Sequence, residues 1–383
     1  MRNQLKELVR KIKEIYPGET PVPLHAPRFL GNEKKYLTEC IDSTFVSYVG
    51  EFVSRFENQI QKFTGIKHAV AMVNGTAALQ MSLLAAGIKP GDEVITQALT
   101  FVATANGIVH AGGIPTFIDV DRDSLGMSPT ALKEYLSLFG ERRADGTFNK
   151  TNGRRIFAVM PMHTFGLVCR IQELSTICKE WNIELIEDTA ESLGSRFNGN
   201  HTGTLSRACC LSFNGNKPVT TGGGGMLLTN DDKIAEKARH ISTTAKRKHP
   251  YEFFHDELGW NLRLPNVNAA IGCAQMDRIE EILSNKRETA ETYKYWAQSN
   301  DIDFITELSG TQSNYWLNAI LMSDKVERDD FLLFSNENGV QTRPVWTLMN
   351  KLPMYKNSLH GSLANSEWLE ERIVNLPSSV RLK

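Results

Sequence analysis

Between residues 68 and 241 the sequence alternates short apolar runs with amphipathic stretches, and no other feature limits the fold so strongly. The apolar runs fall at 68–73, 93–96, 116–120, 156–160, 184–187, 209–213 and 225–229. Each has the length of a strand, and helical periodicity fills 77–86, 103–111, 129–138, 171–181 and 233–240. A strand that returns through a helix pairs in parallel with its predecessor, and the helices then cover both faces of the sheet. The expected fold class is α/β with a mostly parallel central sheet. Sheets of this kind bind ligands beyond the carboxyl ends of their strands, so the residues that close each run are the ones to read for chemistry. The polar stretch 140–153 reads as a surface insertion.

After Leu264-Pro265 the pattern changes. Residues 266–298 read as long helices and the remainder as mixed strands, helices and loops, with no glycine-rich ligand loop. Residues 1–16 place Leu5, Leu8, Val9, Ile12 and Ile15 on one helical face between lysines and glutamates. That is an amphipathic helix, not the unbroken apolar core of a signal peptide. A chain of 383 residues suits two domains. The expected division is a large domain over 27–264 and a smaller α+β domain formed by 1–26 and 265–383. A formal charge of −1 gives no global attraction to nucleic acid or an anionic membrane. No apolar run is long enough to span a bilayer. Six cysteines without a Cys-x-x-Cys pair read as reduced thiols of a cytoplasmic protein. The short basic cluster Lys246-Arg247-Lys248-His249 reads either as a solvated loop or as a local phosphate contact.

Four strand ends carry ligand-type residues. Val73-Asn74-Gly75-Thr76-Ala77 sets a Gly-Thr pair at a strand-to-helix junction. Free backbone N–H groups, a hydroxyl and the positive helix end suit a phosphate there, and an ordinary N-cap by Thr76 fits the same residues. Phe101 follows the second run, placed either to lie flat on an aromatic ring or to fill the core. Glu187-Asp188-Thr189-Ala190-Glu191 closes the fifth run with carboxylates that are costly to bury without a positive partner. A protonated pyridine nitrogen is one such partner. A metal ion competes, but no histidine stands at ligand spacing and none is expected; Asp188 also fits an N-cap. Last comes Lys217, after Ser212 and before the glycines at 222–225. Lysines in partly buried, dipole-rich loops form Schiff bases with carbonyl groups or pyridoxal phosphate, and glycines admit backbone close to a flat or phosphorylated ligand. Taken alone this lysine reads as part of a surface turn. Phosphate cradle, ring face, pyridinium partner and lysine within one α/β domain make the set that a pyridoxal phosphate site requires.

With these residues in view, the chain resembles the DegT/StrS-type nucleotide-sugar aminotransferases, which have the aspartate-aminotransferase-like fold type I. The likeness covers nearly the whole chain. It is carried by Asn74-Gly75-Thr76-Ala77-Ala78-Leu79, Thr100-Phe101-Val102-Ala103-Thr104-Ala105-Asn106, His163-Thr164-Phe165-Gly166, Glu187-Asp188-Thr189-Ala190-Glu191 and Ser212-Phe213-(x)3-Lys217, in the family order. The resemblance implies that Lys217 holds pyridoxal 5'-phosphate as a covalent aldimine and shuttles a proton, with pyridoxamine phosphate as intermediate. Asp188 would pair with the pyridine nitrogen and Phe101 would stack on the ring. Gly75, Thr76 and Ser212 would hold the phosphate. Glu191 would lie toward the ring hydroxyl, where many relatives have glutamine.

Gly259-Trp260-Asn261-Leu262-Arg263 resembles the family's Gly-Tyr-Asn-Tyr-Arg segment, with Trp260 and Leu262 in place of the tyrosines. There the asparagine, here Asn261, reaches the cofactor phosphate of a neighbouring subunit, which implies a homodimer with shared active sites. The stretch 242–257 and the extended N-terminal helix are similar to a narrower, LegC-like subgroup. Those relatives aminate C4 of a 4-keto-6-deoxy nucleotide sugar on the way to legionaminic acid or related bacterial glycans. The implied partners are a nucleotide-linked keto sugar and L-glutamate, with His163, Lys246 and Arg343 as candidate substrate contacts. Two rivals share the fold. Pyridoxamine-phosphate-dependent sugar dehydratases resemble the chain but have histidine at the position of Lys217. A non-catalytic regulator would lack the lysine or the aspartate, and both are present.

Overall fold

The computed structural model describes residues 2–382. Seven strands form one sheet in the order His68–Met72, Gly225–Thr229, Ala208–Ser212, Glu184–Asp188, Ile156–Met160, Glu93–Gln97 and Ile114–Ile118. All run the same way except Gly225–Thr229, which is antiparallel to both neighbours. The third expected run begins earlier than its apolar pattern suggested, because Pro115 lies inside it. A residue without an N–H is tolerated there because Ile114–Ile118 is an edge strand.

Two-residue alternation sorts the strand side chains between two apolar layers. Val70, Met72, Met160, Ile186 and Cys210 face one layer, closed by the helices Gly75–Ala86, Val102–His110 and Asp232–Ile241. Ala69, Ala71, Cys209, Leu211 and Met226 face the other, closed by Glu51–Thr64 and Asn266–Met276. The long helical stretch after Pro265 is thus two helices. Asn266–Met276 packs on the large sheet, and Ile279–Ser299 carries Ile279 into that core and Tyr293 into the next.

The second core surrounds a four-stranded sheet ordered Asp303–Phe304, Asn318–Leu321, Ile373–Leu376 and Arg343–Pro344. The helix Asn3–Ile15 buries Leu5, Leu8, Val9, Ile12 and Ile15 against this core, as its amphipathic pattern predicts. All six cysteines are buried and unpaired. No helix among the described residues is long and apolar enough to cross a membrane.

The stretch 140–153, read as a surface insertion, is exposed at 141–145 and 150–153 but is anchored on one side. It forms a hairpin, Gly140–Arg143 with Gly146–Asn149. Buried Asn149 donates to Glu93 Oε2 at 3.0 Å and to the Tyr135 hydroxyl at 3.1 Å, and Tyr135 donates to Glu93 Oε1 at 2.7 Å. Its polar residues satisfy one another around a buried carboxylate, which composition alone does not reveal.

A second buried carboxylate locks the large domain together. Glu57 accepts from Arg263 Nη2 at 2.8 Å and from the Ala71 N–H at 2.8 Å, and pairs with Arg239 at 2.9 Å. It ties the helix Glu51–Thr64 to an edge strand and to the segment that carries Asn261. Glu57→Ala would leave the buried Arg263 guanidinium uncompensated and is expected to cost ~3–5 kcal/mol of stability. Urea denaturation checks this; an unshifted midpoint would show that the pair carries no such load.

Candidate active site

Five strands of the large sheet deliver their carboxyl ends to a single cleft of about 300 Å³. At its base the helix Gly75–Ala86 begins. Asn74, not Thr76, is its N-cap: the Asn74 side chain accepts from the Ala77 N–H at 2.8 Å. The N–H groups of Gly75 and Thr76 remain at the positive helix end, on the cleft wall. A Cβ on Gly75 would lie 3.0 Å from Ser212 Cβ and 3.2 Å from its Oγ. Glycine is what lets the Ser212 hydroxyl close over the helix start. Bare backbone donors, a helix N-terminus and a hydroxyl fit a phosphate monoester.

Asp188 ends the strand Glu184–Asp188 and lines the same cleft, 2% exposed. Its Oδ2 accepts from the Thr104 hydroxyl at 2.7 Å and its Oδ1 from the Ala190 N–H at 3.0 Å. All its partners are neutral. A buried carboxylate with only neutral donors and a face on a cleft suits a cationic ligand N–H, which a pyridinium supplies. Thr104 stands one helical turn after Phe101, so one short helix presents both the aromatic face and the brace for Asp188. Phe101 is 46% exposed, not the core residue that pattern allowed, and its ring centroid lies 5.9 Å from that of Trp346.

Lys217 reaches the cleft from the loop after Ser212 and is 8% exposed. Its Nζ donates to Glu191 Oε1 at 3.2 Å and sits 3.7 Å from the centroid of the Trp316 ring. Trp316 is itself pinned, donating from Nε1 to the Asn216 carbonyl at 2.6 Å and accepting at its own carbonyl from Lys286 Nζ at 3.1 Å. The other Glu191 oxygen accepts from the Phe165 N–H at 2.9 Å. Burial pushes the Glu191 carboxyl up to about 7, against the pull of Lys217 and that N–H and with the help of nearby Asp188. The glycine run serves packing more than ligand approach. A Cβ on Gly225 would run into the Asn74 carbonyl, and only Gly223 and Gly224 reach the cleft.

The remaining expected contacts lie elsewhere. His163 is fully buried and directed away from the cleft. Its Nε2 lies 2.7 Å from Glu187 Oε2, and its Nδ1 accepts from the Cys169 N–H at 3.3 Å. Alternation along the strand sends Glu187 to the opposite side from Asp188, and His163 follows Glu187, so it does not line the cleft. Lys246 lies on an exposed loop with Nζ 3.8 Å from the Phe253 ring centroid. Arg343 is exposed and bonded to Asn336 Oδ1 and the Thr342 carbonyl. Neither lines the cleft. Asn261 is exposed on the Trp260–Leu262 segment, away from this chain's own cleft. Thr104, Trp316 and Trp346 were missed. Thr104 was legible as the residue at i+3 from Phe101, whereas the tryptophans arrive from distant sequence with no local signal.

Comparison with known proteins adds an independent line. The sequence model of the DegT/DnrJ/EryC1/StrS aminotransferase family matches residues 29–383. The chain is 36% identical over 366 residues to a GDP-perosamine synthase of Vibrio cholerae, covering 93% of this chain and 94% of that one. It is 34% identical over 359 residues to a GDP-perosamine synthase of Escherichia coli O157:H7, covering 93% of each. Among solved structures, the aminotransferase TlmJ from Streptoalloteichus hindustanus superposes with a TM-score of 0.84 at 27% identity, covering 93% of each chain.

Proposed function

Because the chain belongs to the DegT/DnrJ/EryC1/StrS aminotransferase family, we propose that it moves an amino group from L-glutamate to the C4 ketone of a nucleotide-linked 4-keto-6-deoxy sugar. It is a pyridoxal-phosphate-dependent sugar aminotransferase. The finer reading, a product destined for a bacterial surface glycan such as legionaminic acid or a relative, rests on the resemblance of the 242–257 stretch. The GDP in the names of the two synthases makes GDP-linked keto sugars the first to try.

The observation that supports this reading best is the convergence of Lys217, Asp188 and the start of the Gly75–Ala86 helix on one cleft. Pyridoxal phosphate, when bound, supplies an electron sink for the pair left behind when a proton leaves carbon. Gly75, Thr76 and Ser212 would hold its phosphate, Phe101 would cover its ring, and Asp188 would keep its ring nitrogen charged. Lys217 Nζ would hold its aldehyde carbon and, once released, would carry the proton between the donor's α-carbon and the acceptor's C4. The aromatic walls of Trp316 and Trp346 keep water from that proton. Lys217 stands against a dehydratase, and the presence of both Lys217 and Asp188 against a non-catalytic regulator.

A homodimer with shared sites accounts for the position of Asn261 and for two exposed apolar stretches, Phe45 with Val49 and Phe253 with Leu258. Incubating the enzyme with glutamate and a panel of GDP- and UDP-linked 4-keto sugars, followed by mass spectrometry, is expected to show one sugar gaining an amine at C4. The active species should elute as a dimer. Amination of no member of the panel would sink the substrate reading, and an active monomer would sink the shared site.

A further inference from the structure

We propose that Glu191 is the proton acceptor for Lys217, the group that frees the lysine amine to bond with a carbonyl carbon. This rests on the reading of Lys217 as the covalent attachment point and concerns how that bond is reached.

The geometry assigns the two oxygens of Glu191 different tasks. Oε2 accepts from the Phe165 N–H at 2.9 Å, and Oε1 faces Lys217 Nζ at 3.2 Å. Phe165 has φ 58 and ψ 13, a left-handed conformation that bulky residues rarely adopt. That turn aims its N–H at Oε2 and leaves Oε1 as the oxygen free to take a proton. Strain of this kind persists where surrounding structure holds it, and here it orients one carboxylate.

Among the described residues, Glu191 is the side chain that accepts a hydrogen bond from Lys217 Nζ. Asp188 has its oxygens engaged by Thr104 and the Ala190 N–H and is not hydrogen-bonded to Lys217. The Trp316 ring, 3.7 Å from Nζ, favours the ammonium and has no lone pair to accept a proton. The charged groups that act on Glu191 are Lys217, from the loop after Ser212, and Asp188, from its own segment. When Nζ becomes part of a C=N bond, the cation that balanced Glu191 disappears. A carboxylate left 2% exposed beside Asp188 is then costly, so protonating it relieves the site. Its raised affinity for a proton agrees with that direction.

The step balances as written. The Lys217 ammonium gives one proton to Glu191 Oε1. The free amine attacks the aldehyde carbon, and the aldehyde oxygen leaves as water with the amine's two remaining protons. Nothing is oxidised or reduced.

The test uses the full-length apoprotein and pyridoxal phosphate as the probe, comparing wild type with Glu191→Gln. The glutamine keeps an oxygen for the Phe165 N–H but cannot take up a proton at neutral pH. Covalent capture at Lys217 is followed by visible absorbance and confirmed by borohydride trapping and peptide mass. Protons released on mixing are counted with an indicator dye. Near neutrality the variant is expected to capture about tenfold more slowly and to release roughly one more proton per site than wild type, with the rate recovering at alkaline pH. Equal pH profiles and equal proton counts, with capture still at Lys217, would overturn the proposal. Capture in neither protein would remove the attachment reading and this inference together. If the variant does not fold, infrared difference spectra of the wild type decide: capture should convert a carboxylate band into a carboxylic acid band, and an unchanged carboxylate would overturn it.

Discussion

Lys217→Ala is expected to fold normally, to hold pyridoxal phosphate only reversibly and to transaminate at least ~10³-fold more slowly than wild type. The size of the loss follows from two tasks resting on one atom. On the proposed reading Nζ is the covalent anchor and also the carrier of the proton between donor and acceptor carbons. Alanine removes both, and no neighbouring group replaces it: Glu191 has no nitrogen with which to hold an aldehyde carbon, and Asp188 is committed to Thr104 and Ala190. The fold should tolerate the change. Glu191 loses its cation, but burial already raises its carboxyl to about 7 against the pull of Lys217, and without that pull it shifts further up and takes a proton, leaving no unpaired buried charge. Spectra separate the two tasks. Wild type loaded with cofactor should show a visible band that bleaches on adding glutamate. The variant should show only free-aldehyde absorbance, and its cofactor should wash out on gel filtration. Unchanged transamination in the variant would refute the role assigned to Lys217.

Much of this could be read from local sequence because the chemistry sits at strand ends. An apolar run followed by a ligand-type residue marks both the strand and the place where it meets the cleft, and Asp188, Ser212 and Phe101 were found in that way. The sheet's antiparallel member, Gly225–Thr229, was not legible, because a strand's direction depends on the path of the chain between strands and not on the strand's own residues. The placement of His163 was not legible for a related reason. A histidine just past a strand end has no preferred side until the register with its neighbour is known, and here the register sends it with Glu187 into the interior. Trp316 lies 99 positions beyond Lys217, and only the packing of the second core against the first brings its ring over Nζ. The glycine run is the instructive case. It was noticed as an approach for ligand, yet Gly225 is there because backbone passes over the Asn74–Gly75 turn. Gly225 serves the site indirectly, in letting Ser212 and the helix start lie together, while Gly223 and Gly224 line the cleft themselves.

Asp188→Asn is the variant that should separate anchoring from electronics. Asparagine is nearly isosteric, and the Ala190 N–H can still donate to its oxygen. Thr104 can turn its hydroxyl to accept from the new amide, because Thr100 Oγ1 lies 2.7 Å from Thr104 Oγ1 and can supply the proton in return. Stability is therefore expected to change little, and Lys217 should still form its covalent bond and the visible band. What is lost is the negative charge that keeps a ring nitrogen protonated. An uncharged ring is a poorer sink for electrons, and removing a preorganised charge of this kind costs ~10²–10³ in rate. The fall should appear in kcat, with KM for the keto sugar nearly unchanged, because the partner proposed for Asp188 is the ring nitrogen and not the sugar. Glutamate should bleach the band, but slowly. Lowering the pH supplies from solvent the proton that Asp188 would have held, so the variant's deficit should narrow as pH falls. A deficit that stays constant across pH would mean that Asp188 acts by positioning alone, and wild-type kcat in the variant would remove it from the reaction.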